Sequence, residues 1–200
     1  MCRLNLMGRV VFISGGTASI RSETYTYVSS QHRILIRQED YLLRDEDKPR
    51  VILPNGKEVR NWDTVRALDI DRFNNDILYS RIYSPQITIV EGFCLSADIM
   101  KVIPDMHIHL SYIGSEKKED SMAPYNFHLI EKRMLASPKE FKHDIDDEEL
   151  IIKCIIIPFY VRTLENSNIT HIVPTFLGDL KIHADLVEGR IFELISSLYN

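Results

Sequence analysis

The chain has 200 residues, 44% of them hydrophobic and 26% charged, with 8 Gly and 8 Pro, a balance that excludes a disordered tail, a collagen-like repeat or a low-complexity scaffold and suits one self-supporting core. Its 24 Lys and Arg against 29 Asp and Glu give a formal charge of -5, which speaks against nucleic acid as a partner, because coating a polyanion needs a cationic surface. Cys2, Cys94 and Cys154 are far apart and lack C-x-x-C spacing, so neither a disulfide framework nor a zinc site is expected; with no run long enough for a signal peptide or a membrane span, the expected setting is the cytoplasm, with no membrane partner.

The first apolar run, Val10 to Ser14, is rich in β-branched residues and too short for a helix, so it predicts a strand. Gly15-Gly16-Thr17-Ala18-Ser19-Ile20-Arg21-Ser22 follows, where a strand–loop–helix phosphate cradle of pattern G-x-x-x-x-G-K-[ST] would lie. The leading Gly, the small residues, a basic residue in the Lys slot and the hydroxyl of Ser22 fit that pattern. Two positions depart from it. Ile20 stands where a second Gly would let the backbone approach phosphate closely, and Arg21 replaces a compact ammonium with a planar fork. Taken alone, the segment reads equally well as an ordinary turn between a strand and a helix.

Ile34 to Arg37 predicts a second strand, followed by the acidic pair Glu39-Asp40. A helix is predicted over Trp62 to Tyr79, with Val65, Leu68, Ile70, Phe73, Ile77 and Leu78 at roughly helical period and a cap at Asn61. Ile87 to Glu91 and Met106 to Tyr112 are the third and fourth strands; His107 and His109 share one face of the latter, and with no third ligand in the segment they read as ordinary strand residues. Gly114 to Ser121 is polar and charged, as expected of a surface loop or lid. Asp144 to Val161 predicts a helix opened by acidic residues, His171 to Pro174 a fifth strand, and Leu186 to Leu198 a last helix. Segments of crossover length between strands, and the near-continuous apolar character of VVFIS and ITIVEG, imply a mostly parallel α/β sheet.

The loop GGTASIRS resembles the GGSASGKT-type loop of uridine kinases, and later segments resemble the uridine kinase and nicotinamide riboside kinase family in the same order. Ile36-Arg37-Gln38-Glu39-Asp40-Tyr41 is similar to that family's S-Q-D-D-F segment. Asn55-Gly56 followed by Asn61-Trp62-Asp63-Thr64-Val65-Arg66-Ala67-Leu68 is similar to N-G…Y-D-x-x-x-A-L, and Ile87 to Phe93 to I-L-I-x-E-G-F. Pro158-Phe159-Tyr160 and Thr170 to Pro174 resemble the late helix and the A-D-x-I-I-P strand of uridine kinases.

That resemblance implies a three-layer α/β/α P-loop NTPase-like sandwich, one domain over residues 1–200, with a five-stranded parallel sheet ordered 2-3-1-4-5 and a short lid over about 114–145. It implies transfer of the γ-phosphate of ATP, with Mg2+, to the 5′-hydroxyl of a small riboside such as uridine, cytidine or nicotinamide riboside. In this alignment Gly15, Gly16, Thr17, Ala18, Ser19, Ile20, Arg21 and Ser22 wrap the phosphates, Arg21 faces the β and γ oxygens, and the Ser22 hydroxyl and Glu91 serve Mg2+. Glu39 takes the slot of the acid that accepts the hydroxyl proton; it is one methylene longer than the family's Asp, and the adjoining Asp40 is the other candidate. Asp63 would accept from the ribose 2′ and 3′ hydroxyls. Trp62, in the slot of a Tyr that stacks on nicotinamide, offers a flat surface for the base or else a hydrophobic staple at a helix start. The family's Arg-rich lid is thinned to Lys132 and Arg133, with His128 and Lys139 nearby, and Arg133 is the lid arginine of the alignment. Ile20, Arg21 and the thin lid leave a second expectation open, a catalytically impaired pseudokinase that binds nucleotide or riboside as a regulatory module. A third is a plain α/β domain in which the matches are accidental.

Overall fold

A computed structural model describes residues 8–15, 33–112, 145–175 and 180–199. Residues 16–22 of the expected phosphate loop and residues 114–144 of the expected lid, Arg133 among them, lie outside the described residues. Seven strands are described: β1 (Val10–Gly15), β2 (Ile34–Arg37), β3 (Arg50–Ile52), β4 (Glu58–Arg60), β5 (Thr88–Gly92), β6 (Met106–Tyr112) and β7 (His171–Thr175). Five of them form one sheet in the order β2-β5-β1-β6-β7, every pair parallel. Counting those five alone, the order is the expected 2-3-1-4-5.

The unbroken apolar run of β1 has a direct cause, since all six of its residues are buried. Val10 and Phe12 face one way, into a core with Phe73 and Ile77. Val11 and Ile13 face the other, into a core with Val187, Ile191 and Ile195. A helix therefore covers each face, α1 (Ile70–Tyr83) on the first side and α4 (Leu180–Ser196) on the second, and each such side chain removed from water stabilises the fold by roughly 1.5–3 kcal/mol. The last helix begins six residues before its expected start, at Leu180 rather than Leu186.

The helix expected from Trp62 with a cap at Asn61 does not begin there. Asn61 Oδ1 accepts from the Asp63 N–H at 3.0 Å, a local turn that competes with helix. Beyond it, Leu43 N–H donates to Ala67 and Asp69 N–H to Tyr41, around an antiparallel bridge between Leu42 and Leu68. These bonds hold residues 67–69 against 41–43, and α1 starts only after Asp69, whose side chain caps it by accepting from the Arg72 N–H at 3.2 Å.

Between β2 and α1 lies the hairpin β3–β4, which strand-scale apolar patterning does not reveal because only Val51 and Val59 of its six residues are apolar on the inner side. Its turn needs Gly56, whose φ of 82° lies in the left-handed region. Leu53 and Val59 pack on Ile151, Ile152, Ile155 and Ile156. Those isoleucines belong to the helix expected over Asp144 to Val161, which is three pieces: α2 (Ile145–Ile151), a π turn Ile152–Ile156, and α3 (Ile157–Glu165). The wide turn sits immediately before Pro158, which has no N–H to continue an α ladder. Among the described residues, no helix is long and apolar enough to cross a membrane.

Candidate active site

Open α/β sheets bind ligands outside the carboxyl ends of their strands, near the point where chain order reverses. Here that point is β1, with β2 and β5 on one side and β6 and β7 on the other. Gly15 is its last residue, buried and opposite Leu110. Glu91 lies one residue from the end of β5, opposite Ile13 and Arg37, with only 6% of its surface exposed. A carboxylate buried at that edge has the hard oxygen donors that Mg2+ takes.

The end of β5 is fastened to the end of β2 by Gln38, which opens a 3-10 turn over Gln38–Tyr41. Gln38 is fully buried, and its Oε1 accepts from the N–H groups of Phe93 at 2.7 Å and Cys94 at 3.0 Å. A Cβ on Gly92 would run into this carboxamide. Sequence reasoning aligned Gln38 without giving it a role; the signal was a carboxamide directly after a strand, paired with a Glu-Gly strand end.

Glu39 and Asp40 follow in the same turn and are exposed. Both meet the Arg37 guanidinium, Glu39 Oε1 at 3.2 Å and Asp40 Oδ2 at 3.5 Å. Exposed pairs of this kind hold weakly, so Arg37 does not fix either carboxylate in place. Tyr41 ends the turn, its hydroxyl donating to Asp76 Oδ2 at 2.7 Å. Burial and that carboxylate push the Tyr41 phenol up to about 12.

The Leu42–Leu68 bridge ties residues 67–69 to 41–43, just after the turn that follows β2, while Trp62 and Asp63 come directly after Asn61, whose N–H donates to Pro49. Asp63 is buried, 7% exposed, and Trp62 is 42% exposed. Trp62 lies well before the start of α1 at Ile70, so it does not staple that helix. Instead its ring carries the Lys48 ammonium, 3.1 Å from the ring centroid. The hairpin register explains the meeting: Arg50 opposes Arg60, Asn61 N–H donates to Pro49, and the next pair outward is Lys48 with Trp62. Sequence reasoning missed Lys48 because it missed the hairpin.

His107 and His109, both in β6, take part in a buried hydrogen-bonded chain. Ser14 Oγ lies 2.8 Å from His107 Nε2 and 2.9 Å from His109 Nδ1, and His109 Nε2 lies 2.9 Å from the Tyr160 hydroxyl. Ser14 has one hydroxyl hydrogen, so it accepts from at least one of the two rings. Burial, with the neighbouring His109 adding, drives the His107 imidazole down to about 4 and keeps it neutral. This chain ties the carboxyl end of β1, one residue before Gly15, to β6 and to α3. A cavity of about 40 Å³ beside His107, lined by Phe12, Leu95 and Met100, lies at mid-strand away from the carboxyl edge; it has room for water and none for a nucleotide. Among the described residues there is no group of three or more His, Cys, Asp or Glu that could hold a metal ion.

No family model matches the chain, and no curated protein matches it. Its structure is similar to that of a protein from Silicibacter sp. TM1040 assigned as a fructose transport system kinase, with a TM-score of 0.54 and 12% identity over 87% of this chain and 93% of that one. More distant likenesses are a gluconokinase from Sinorhizobium meliloti 1021, TM-score 0.47 and 13% identity over 98% and 97% of the two chains, and a thymidylate kinase from Candida albicans, TM-score 0.48 and 14% identity over 96% and 93%. At such identities the likeness is one of fold. Together with the parallel strand order and a helix on each face, it makes the chain a three-layer α/β/α sandwich of the P-loop NTPase type.

Proposed function

We propose that the chain is a P-loop kinase that transfers the γ-phosphate of ATP to the 5′-hydroxyl of a small riboside. The observation that supports this reading most is that Gly15, Glu91 and the Glu39-Asp40 turn all lie at one carboxyl edge of the sheet. The name of the similar Silicibacter protein agrees with the kinase class.

In this reading the backbone N–H groups of residues 15–22 cradle the phosphates, with Arg21 and the lid Arg133 countering their charge. Mg2+ would be held by the Ser22 hydroxyl and, through water, by Glu91, and when bound it neutralises charge on the phosphates. Glu39 or Asp40 accepts the hydroxyl proton, Asp63 holds the ribose hydroxyls and Trp62 stacks on the base. Calorimetry with ATP and Mg2+ tests the nucleotide half of this. Micromolar affinity, weakened in Glu91→Gln only when Mg2+ is present, is the expected result.

A second reading is favoured by Ile20 and Arg21 in the cradle and by the engagement of both candidate bases with Arg37. It is a pseudokinase that keeps the riboside pocket and binds nucleotide poorly. Riboside binding without measurable ATP binding in the same experiment selects it.

A further inference from the structure

Trp62 faces solvent on one side only in a chemical sense, because the other side of its ring is taken by a cation. The Lys48 ammonium lies 3.1 Å from the ring centroid, and the residue is 5% exposed, so water does not compete for it. Asp45 Oδ1 accepts from the same ammonium at 2.8 Å. The Asp45 carboxylate is shared with Arg60, whose Nη1 is 3.4 Å from Oδ2, so the three side chains sum to +1 (two cations, one anion). A tryptophan face attracts a cation through its quadrupole, and here Lys48 already uses that attraction.

We propose that Lys48 sets the base selectivity of this site, so that the open face of Trp62 accepts an uncharged base such as uracil or cytosine and disfavours a cationic pyridinium such as that of nicotinamide riboside. The proposal rests on the riboside kinase reading above. A base stacked at roughly 3.5–4 Å from the ring would lie about 7 Å from the ammonium through the ring. At that separation, in the dielectric of a partly buried site, like charges repel by enough to cost about tenfold or more in affinity. Asp63, the acid beside Trp62, keeps its charge when it accepts from the ribose hydroxyls and attracts a pyridinium, but it does so equally in wild type and in Lys48 variants, so the comparison between them isolates Lys48.

Trp62 is the one tryptophan in the chain, so its emission reports this site alone. Iodide, an anion, should quench it several-fold more steeply than caesium, each normalised to free tryptophan, and Lys48→Met should bring the two slopes together. Followed by the same emission, uridine and cytidine should bind about tenfold more tightly than nicotinamide riboside, a gap that Lys48→Met narrows to under about twofold and the charge-keeping Lys48→Arg preserves. Far-ultraviolet circular dichroism checks that both variants fold; if Lys48→Met does not, the wild-type quenching and riboside ratios still decide. Equal quenching by iodide and caesium, or nicotinamide riboside binding as tightly as uridine, overturns the selectivity role while leaving the kinase reading in place. Preserved iodide preference with no saturable response to any riboside overturns the riboside reading, and the selectivity proposal with it.

Discussion

Gln38 lies over Gly92, its carboxamide filling the space a side chain there would need while Oε1 accepts from the two following N–H groups, Phe93 and Cys94. This joint holds the carboxyl ends of β2 and β5 together beside Glu91. Gly92→Ala should therefore cost about 1–3 kcal/mol by overpacking, and Gln38→Ala about 1–3 kcal/mol by leaving buried N–H groups unmet. In the double variant the clash with the carboxamide is removed and only the contact with the Cβ at position 38, 2.9 Å, remains, so urea unfolding should show a loss smaller than the sum of the two.

The buried histidine of the Ser14 chain gives stability a pH dependence whose sign is fixed. Burial first, and His109 second, lower the folded-state value of His107 from 6.5 to about 4. Below pH 6.5 the unfolded chain takes up a proton that the folded one refuses, so the contribution is complete above that pH and is lost as pH falls toward about 4. The loss over that window should reach about 3 kcal/mol. His107→Gln keeps a hydrogen-bonding group beside Ser14 but cannot titrate. Its urea midpoint should start lower at pH 7 and fall less steeply than wild type between pH 6.5 and 4.5; parallel slopes would show that His107 is not the group responsible.

Asp147, in the first turn of α2, anchors the hairpin to that helix. It is buried, accepts from Asn55 Nδ2 at 2.8 Å and pairs with the Lys57 ammonium. Asp147→Ala removes both partners and should cost about 1.5–3 kcal/mol, with trypsin cleaving faster after Lys57 in the hairpin turn. Asp147→Asn keeps a carbonyl for Asn55 and should fall between wild type and the alanine variant.

The parallel sheet was legible because β1 and β5 are covered on both faces and so carry continuous β-branched runs, which give a signal in any short window. The start of α1 was not, because the helical period of Val65 and Leu68 is real while the neighbouring Ala67 and Asp69 are bonded to Leu43 and Tyr41, more than twenty residues away. Hairpin β3–β4 escaped for a related reason: its apolar contacts are with isoleucines about a hundred residues later, and its strands are three residues each. Of the candidate site, Gly15 and Glu91 could be singled out by their setting at strand ends, and Asp63 by the family resemblance alone. Gln38, Lys48 and the Ser14–His107–His109–Tyr160 chain could not, since each acquires its role from a partner that only tertiary structure supplies.

The most direct measurement is phosphoryl transfer itself, with ATP and Mg2+ offered alongside uridine, cytidine or nicotinamide riboside and product read as riboside 5′-phosphate. Wild type should form product, fastest with a pyrimidine riboside, and the Ile20→Gly, Arg21→Lys double variant should form it about tenfold or more faster, because the glycine lets backbone N–H groups close on the phosphates and the compact ammonium fits where the planar fork does not. No product from any riboside with either protein would contradict the kinase reading.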